Sequence, residues 1–176
     1  MEKEYIITIF SENKVGLLNQ VTTIFTCRNI NIESVTASES AISGIHRYTI
    51  VVHTDQEKIE KVVKQIEKKV DVIKAYVYTL DQVVQQEIAM YRVRRSPSIE
   101  HIVRKFNVRV LEVGEDYMVL EKTGHASETR ELFERLKPYG LLQFVRSGVV
   151  SLPKSDAERE DLHHYLSIHD PEYGNY

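Results

Sequence analysis

"YIITIFSENKVGLLNQVTTIF", Tyr5 to Phe25, changes its hydrophobic period at a glycine. Tyr5–Phe10 is apolar except for Thr8 and predicts a strand buried on both faces. Beyond polar Ser11–Lys14 and Gly16, Leu17, Leu18, Val21, Ile24 and Phe25 recur at helical spacing as one apolar stripe. Arg28-Asn29 ends that helix, because asparagine tolerates the left-handed backbone that a helix C-terminus often needs. Ile32–Ser38 predicts a second strand, Glu39–Gly44 a turn, and the β-branched run Ile45–His53 a third strand. Asp55 can N-cap a helix carrying Ile59, Val62, Val63 and Ile66, and Val70–Tyr78 predicts a fourth strand.

The order β-α-β-β-α-β with right-handed crossovers predicts a four-stranded antiparallel sheet with both helices on one face, a ferredoxin-like unit. The order then recurs. Glu87–Arg94 is a strand, Pro97–Phe106 a short helix, Val108–Val113 and Tyr117–Glu121 strands, Ser127–Lys137 a helix capped by Ser127, and Leu141–Ser151 a last strand. No residue-level repeat accompanies the repeated order. The fold class is α+β, two consecutive ferredoxin-like units. The expected divisions are 1–79, a linker 80–86, 87–155, and a mobile acidic tail 156–176.

Bulk properties narrow the function classes. The chain has 176 residues, 28% charged and 42% hydrophobic, with net charge −3, a normal globular balance. The sequence pI near 6.2 argues against nucleic acid as main partner, since such domains carry a basic face. Residues 151–176 hold two basic and six acidic side chains, net −4. The single cysteine, Cys27, leaves no intrachain disulfide and no paired-cysteine metal site. A reducing cytoplasm fits. The N-terminal stretch lacks the basic and apolar regions of a signal peptide. No apolar run approaches the roughly 20 residues that span a bilayer.

The glycine loop has its own chemistry. The first N–H groups of the following helix lack intrahelical partners, and the helix dipole makes that end positive, so an anion fits there. Gly16 lets a ligand approach the backbone. Asn13 offers a donor and an acceptor. A free α-amino acid presents an ammonium and a carboxylate together, and Val15, Leu17 and Leu18 suit a small apolar side chain. Two readings are open on spacing alone: the loop holds such a ligand, or Asn13 only caps the helix and Gly16 only relieves crowding against the sheet.

"SENKVGLLNQVTTIFTCRNINIESVTA", Ser11–Ala37, resembles the opening of acetolactate synthase regulatory small subunits. The matching positions are Glu12, Asn13, Gly16, Leu18, Val21, Phe25, Arg28, Asn31, Ile32 and Ser34. "VDVIKA" (Val70–Ala75), "EIAMYRV" (Glu87–Val93) and "RSGVVSLPKS" (Arg146–Ser155) resemble later segments of that family in the same order. Asn19-Gln20 stands where an arginine is common, and Asn29-Ile30 replaces the usual Gly-Tyr. The loop alone resembles the ACT domain, a widespread amino-acid-sensing module.

The resemblance implies a non-catalytic regulatory subunit. It would activate a large catalytic subunit that carries thiamine diphosphate, Mg and FAD, hold no cofactor itself, and in many cases impose feedback inhibition by valine or another branched-chain amino acid. By position, Asn13, Gly16 and the N–H groups of Leu17 and Leu18 would hold the effector's polar end. Asn31 and Ile32 would contact it from a neighbouring protomer of a homodimer.

Other constellations carry less. His163-His164 and His169-Asp170 suggest either a metal site or a solvated tail, and the sparse packing partners favour the tail. Arg92 and Arg94 share a strand face with Arg95 beside them, suiting either solvent or an acidic partner. Tyr76 and Tyr78 share a face and suit sheet packing. No Gly-Asp-Gly thiamine site, dinucleotide fingerprint, G-x-S-x-G or zinc motif is present, and the aromatic signature of RNA-binding ferredoxin-like domains is missing. The competing reading is a free-standing two-domain ACT-type sensor acting on another enzyme or a transcription factor.

Overall fold

The computed structural model describes residues 2–169. The described residues form two compact units, 2–84 with 151–169, and 85–150. The first comprises β1 (Lys3–Glu12), α1 (Leu17–Cys27), β2 (Ile32–Glu39), β3 (Ile45–Thr54), α2 (Gln56–Ile66) and β4 (Val72–Tyr78). Its sheet order is β2-β3-β1-β4, with antiparallel pairs throughout. This is the expected ferredoxin-like topology.

One face of this sheet carries the helices. Tyr5, Ile7 and Ile9 of β1 join Leu17, Val21, Ile24 and Phe25 of α1 and Ile59, Val62 and Ile66 of α2 in one core. Asp55 caps α2 as expected, its carboxylate accepting from the Lys58 N–H at 2.9 Å. That bond holds the Asp55 carboxyl below its ordinary range. Asn29 has φ 54°. The Ile30 N–H donates to Phe25 C=O and the Asn29 N–H to Thr26 C=O, both at 3.0 Å, the paired bonds of a Schellman C-terminus.

The other face is covered by α5 (Ala157–His169). Leu166 of α5 packs with Phe10 and Ile45, joined by Ile42, Ile73, Tyr76, Leu162 and Tyr165. The mobile tail expected from residue 156 is therefore corrected over 157–169: the segment is helical and docked on the first sheet. Asp170 and the rest of the expected tail lie outside the described residues, as does half of the His169-Asp170 pair. Among the described residues no group of three or more His, Cys, Asp or Glu side chains could hold a metal ion.

The second unit contains β5 (Val83–Arg94), α3 (Glu100–Lys105), β6 (Arg109–Val113), β7 (Tyr117–Gly124), α4 (Ala126–Leu136) and β8 (Leu141–Arg146). Its order is β6-β7-β5-β8, and β9 (Val150–Pro153) follows at the boundary between the units. Ala89, Tyr91 and Val93 of β5 pack with Ile99, Ile102, Leu120, Leu132 and Leu136. Asn107 has φ 49°, and the Val108 N–H returns to Val103 C=O at 2.9 Å. Asn107 thus repeats the turn that Asn29 makes in the first unit, a correspondence the unaligned sequence hides.

Several boundaries move. The linker 80–86 shortens to a 3-10 turn, Leu80–Gln82, because β5 already begins at Val83. Pro97–Ile99 is also a 3-10 turn rather than the start of α3. Ser127 does not cap α4; His125 is the cap residue, and its N–H donates to Glu128 at 2.8 Å. The expected strand Leu141–Ser151 is broken into β8 and β9.

Candidate effector site

Residues 13–16 connect the end of the central strand β1 to α1. Gly16 is the N-cap of α1 with φ 84° and no side-chain cap bond. A Cβ built there would meet nothing within 4 Å. Gly16 therefore does not relieve crowding; it supplies a left-handed backbone that most side chains resist. Asn13 does not cap the helix either. Its N–H donates to Gly44 C=O at 3.0 Å, and its side chain is exposed.

The loop is pinned on both flanks. The Glu12 N–H donates to Asp71 C=O and the Lys14 N–H to Glu12 C=O, each at 3.0 Å. Lys14 Nζ contacts Asp71 Oδ1 at 2.5 Å and Glu12 Oε2 at 2.9 Å. Hydrogen bonds to Asp71 and then Glu12 raise the Lys14 ammonium above its ordinary range. Lys14, Asp71 and Gly44 were absent from the sequence-derived site. No local signal could have joined them, since the contacts are made only by strand pairing.

The first turn of α1 has no acidic side chain to compete with a carboxylate. The Leu17 N–H is directed back to Lys14 C=O at 3.3 Å, so Leu17 offers a weaker free donor than expected. Its side chain is buried while Leu18 and Val15 are exposed. Val15 and Leu18 are thus the apolar side chains that the loop presents to solvent.

Asn31 and Ile32 lie elsewhere in the same chain. Ile32 is opposite Val52, which is also opposite Tyr5. The loop leaves β1 at Glu12, about 23 Å further along at about 3.3 Å per residue. Asn31 Nδ2 donates to Glu33 Oε1 at 2.8 Å. One chain therefore brings Asn13, Gly16, Leu17 and Leu18 together and leaves Asn31 and Ile32 at the opposite end of the sheet.

Residues 7–74 match the family described as the AHAS small subunit-like ACT domain, and 86–155 match the small subunit of acetolactate synthase. The acetolactate synthase small subunit of Bacillus subtilis (strain 168) is 34% identical over 168 residues, covering 93% of this chain and 98% of its own. The chain belongs to the acetolactate synthase small-subunit family. The family's Mycobacterium leprae member is 34% identical over 153 residues, 84% of this chain and 90% of its own. The crystal structure of the Thermotoga maritima acetolactate synthase small subunit superposes with a TM-score of 0.80 at 27% identity, covering 87% of this chain and 98% of that one. As a small subunit the chain is the regulatory component of a holoenzyme, not catalytic by itself, and it implies a catalytic large-subunit partner. α5 lies beyond both family matches. Among the described residues no helix is long and apolar enough to cross a membrane.

Proposed function

We propose that this small subunit activates a cytoplasmic, thiamine-diphosphate-dependent large subunit and makes it responsive to a branched-chain amino acid. The observation that carries the effector reading is the left-handed glycine opening α1, with no side-chain cap and no first-turn carboxylate. The effector's carboxylate meets the first N–H groups of α1 beside Gly16. Asn13 engages the polar end, and Val15 and Leu18 take the apolar side chain. Thiamine diphosphate, Mg and FAD belong to the large subunit. Acetolactate formation from pyruvate tests the first half. The isolated chain makes none, and titrating it into the cognate large subunit raises the rate; an unchanged rate across the titration overturns the assignment.

The effector site needs two copies. β2 is an edge strand that pairs only with β3 among the described strands, and an exposed edge favours pairing with another chain. Antiparallel pairing of β2 with its twin sets the Ile32 end of one copy beside the Glu39 end of the other. That end is level with the other copy's loop, because Glu39 and Ser11 both face His46. Asn31 and Ile32 then complete the partner's site. Sedimentation is expected to show a dimer at tens of micromolar; a monomer, with or without amino acid, contradicts the shared site.

A further inference from the structure

The Gly44 peptide is held from both sides. Its carbonyl accepts the Asn13 N–H at 3.0 Å, and its N–H donates to Glu39 Oε1 at 3.2 Å. The β2–β3 turn around it is closed by the Ser40 N–H to Ile45 C=O at 2.7 Å. Ile42 and Ile45 on this turn pack in the cluster formed with Leu162 and Leu166 of α5. Ile45 also lies opposite Glu12, the last residue before the loop. A short path of contacts thus runs from α5 through the turn to Asn13.

α5 is fastened by polar contacts as well. Arg47 Nη2 faces Glu158 Oε2 of α5 at 3.3 Å, and it also donates to Ser151 C=O of β9, outside the helix, at 2.7 Å. The Tyr76 hydroxyl donates to Asp161 at 2.7 Å. The fastening is incomplete. Arg47 Nε, beside Glu158, is buried without a hydrogen-bond partner, a cost that weakens docking. Burial raises the Glu158 carboxyl above its ordinary range, against the pull of Arg47. A cavity of about 380 Å³ is lined by Ser40, Ala41 and Ile42 of the turn and by Glu158, Arg159 and Leu162 of α5. A partly satisfied, loosely packed contact is one that opens locally ahead of the core.

We propose that α5 is a positioning element for the effector loop: docked on the open face of the first sheet, it clamps the β2–β3 turn and so fixes the Gly44 carbonyl against the Asn13 N–H. Undocking α5 frees the turn and loosens the amino-acid site. The effect on affinity rests on the effector reading given above; the effect on the loop does not.

The test uses the full chain with Leu162 and Leu166 both changed to Asp, and separately with Tyr76→Phe, which removes the bond to Asp161 and keeps the ring. Hydrogen exchange at Asn13 and Ile45 is read against Ile7 and Ile50 in the core, and calorimetry reads valine, leucine and isoleucine binding. In the double variant Asn13 exchange is expected to rise about tenfold with core protection kept, and amino-acid affinity to fall about fivefold. Tyr76→Phe is expected to move both in the same direction by less. Unchanged Asn13 exchange in a variant whose α5 amides have lost protection overturns the proposal. If the double variant loses core protection too, Tyr76→Phe decides on the same readouts: faster Asn13 exchange supports the clamp, unchanged exchange with α5 loosened overturns it. If the wild type binds none of the three amino acids, the effector reading fails, and Asn13 exchange still decides what α5 does to the loop.

Discussion

Gly16→Asp is expected to abolish the proposed amino-acid binding and to leave the fold and the proposed activation of the large subunit in place. The new Cβ has open space around it, so nothing clashes. The backbone at φ 84° is one that Asp tolerates better than most residues, at roughly 1 kcal/mol. The damage is electrostatic. A carboxylate at this position faces the ligand's own carboxylate. At about 4 Å and an effective dielectric near 20, the two repel by roughly 4 kcal/mol. An amino acid bound at 10–100 μM gains only about 5.5–7 kcal/mol, so affinity falls about a thousandfold. Gly16→Asn, which keeps size and left-handed tolerance without the charge, is expected to bind far more tightly than Gly16→Asp. Asn31→Ala removes a side chain already engaged with Glu33, and its cost is expected near the lower end of about 1.5–3 kcal/mol. Calorimetric titration with valine, leucine and isoleucine measures all three variants. Equal binding by wild type and Gly16→Asp places the site elsewhere.

Tyr91→Ala unfolds the second unit before the first. Tyr91 is fully buried, its ring 5.2 Å from that of Phe144. Its hydroxyl donates to Thr129 C=O at 2.6 Å. Truncating a buried aromatic costs about 3–5 kcal/mol, a large share of the stability of a small domain. Tyr91→Phe loses only the hydrogen bond and is expected to cost about 1 kcal/mol. Each unit has its own core. Hydrogen exchange is therefore expected to show lost protection over 85–150, while the loop in the first unit still binds its amino acid with unchanged affinity. Parallel loss of protection in both units would show one cooperative body instead.

The elements of both units were legible because each change of hydrophobic period is local. Tyr5–Phe10 and the stripe from Leu17 to Phe25 meet at a glycine that the backbone needs for its left-handed turn. Asn29 was readable as a helix stop for the same reason. Asn107 makes the same turn, but the sequences around the two asparagines differ, so the repeat showed only in the backbone. The candidate site was half legible. Asn13 and Gly16 lie in one short stretch of sequence, but Lys14 acquires its partner Asp71 through the pairing of β1 with β4. The reach of Asn31 and Ile32 to the far end of the sheet depends on strand register, which a period cannot supply.

β5 and β1 divide what the sequence by itself determined from what the tertiary structure decided. In β5 apolar residues alternate with Arg92 and Arg94, and only one face is buried. In β1 the residues from Tyr5 to Ser11 are all buried, as the unbroken apolar run required. The sequence therefore determined that the first sheet needs a cover on both faces, because apolar side chains on either side of a strand are stable only away from water. It did not determine what the second cover is. α5 reads as a solvated acidic tail, since few apolar residues, chiefly Leu162, Tyr165, Leu166 and Ile168, interrupt its polar ones. Its docking face is partly polar, through the ion pair of Glu158 with Arg47 and the hydrogen bond that Asp161 accepts from the Tyr76 hydroxyl. A charge becomes a docking residue only when its counter-charge is folded against it, and that pairing existed only once the sheet had brought Arg47 to the open face.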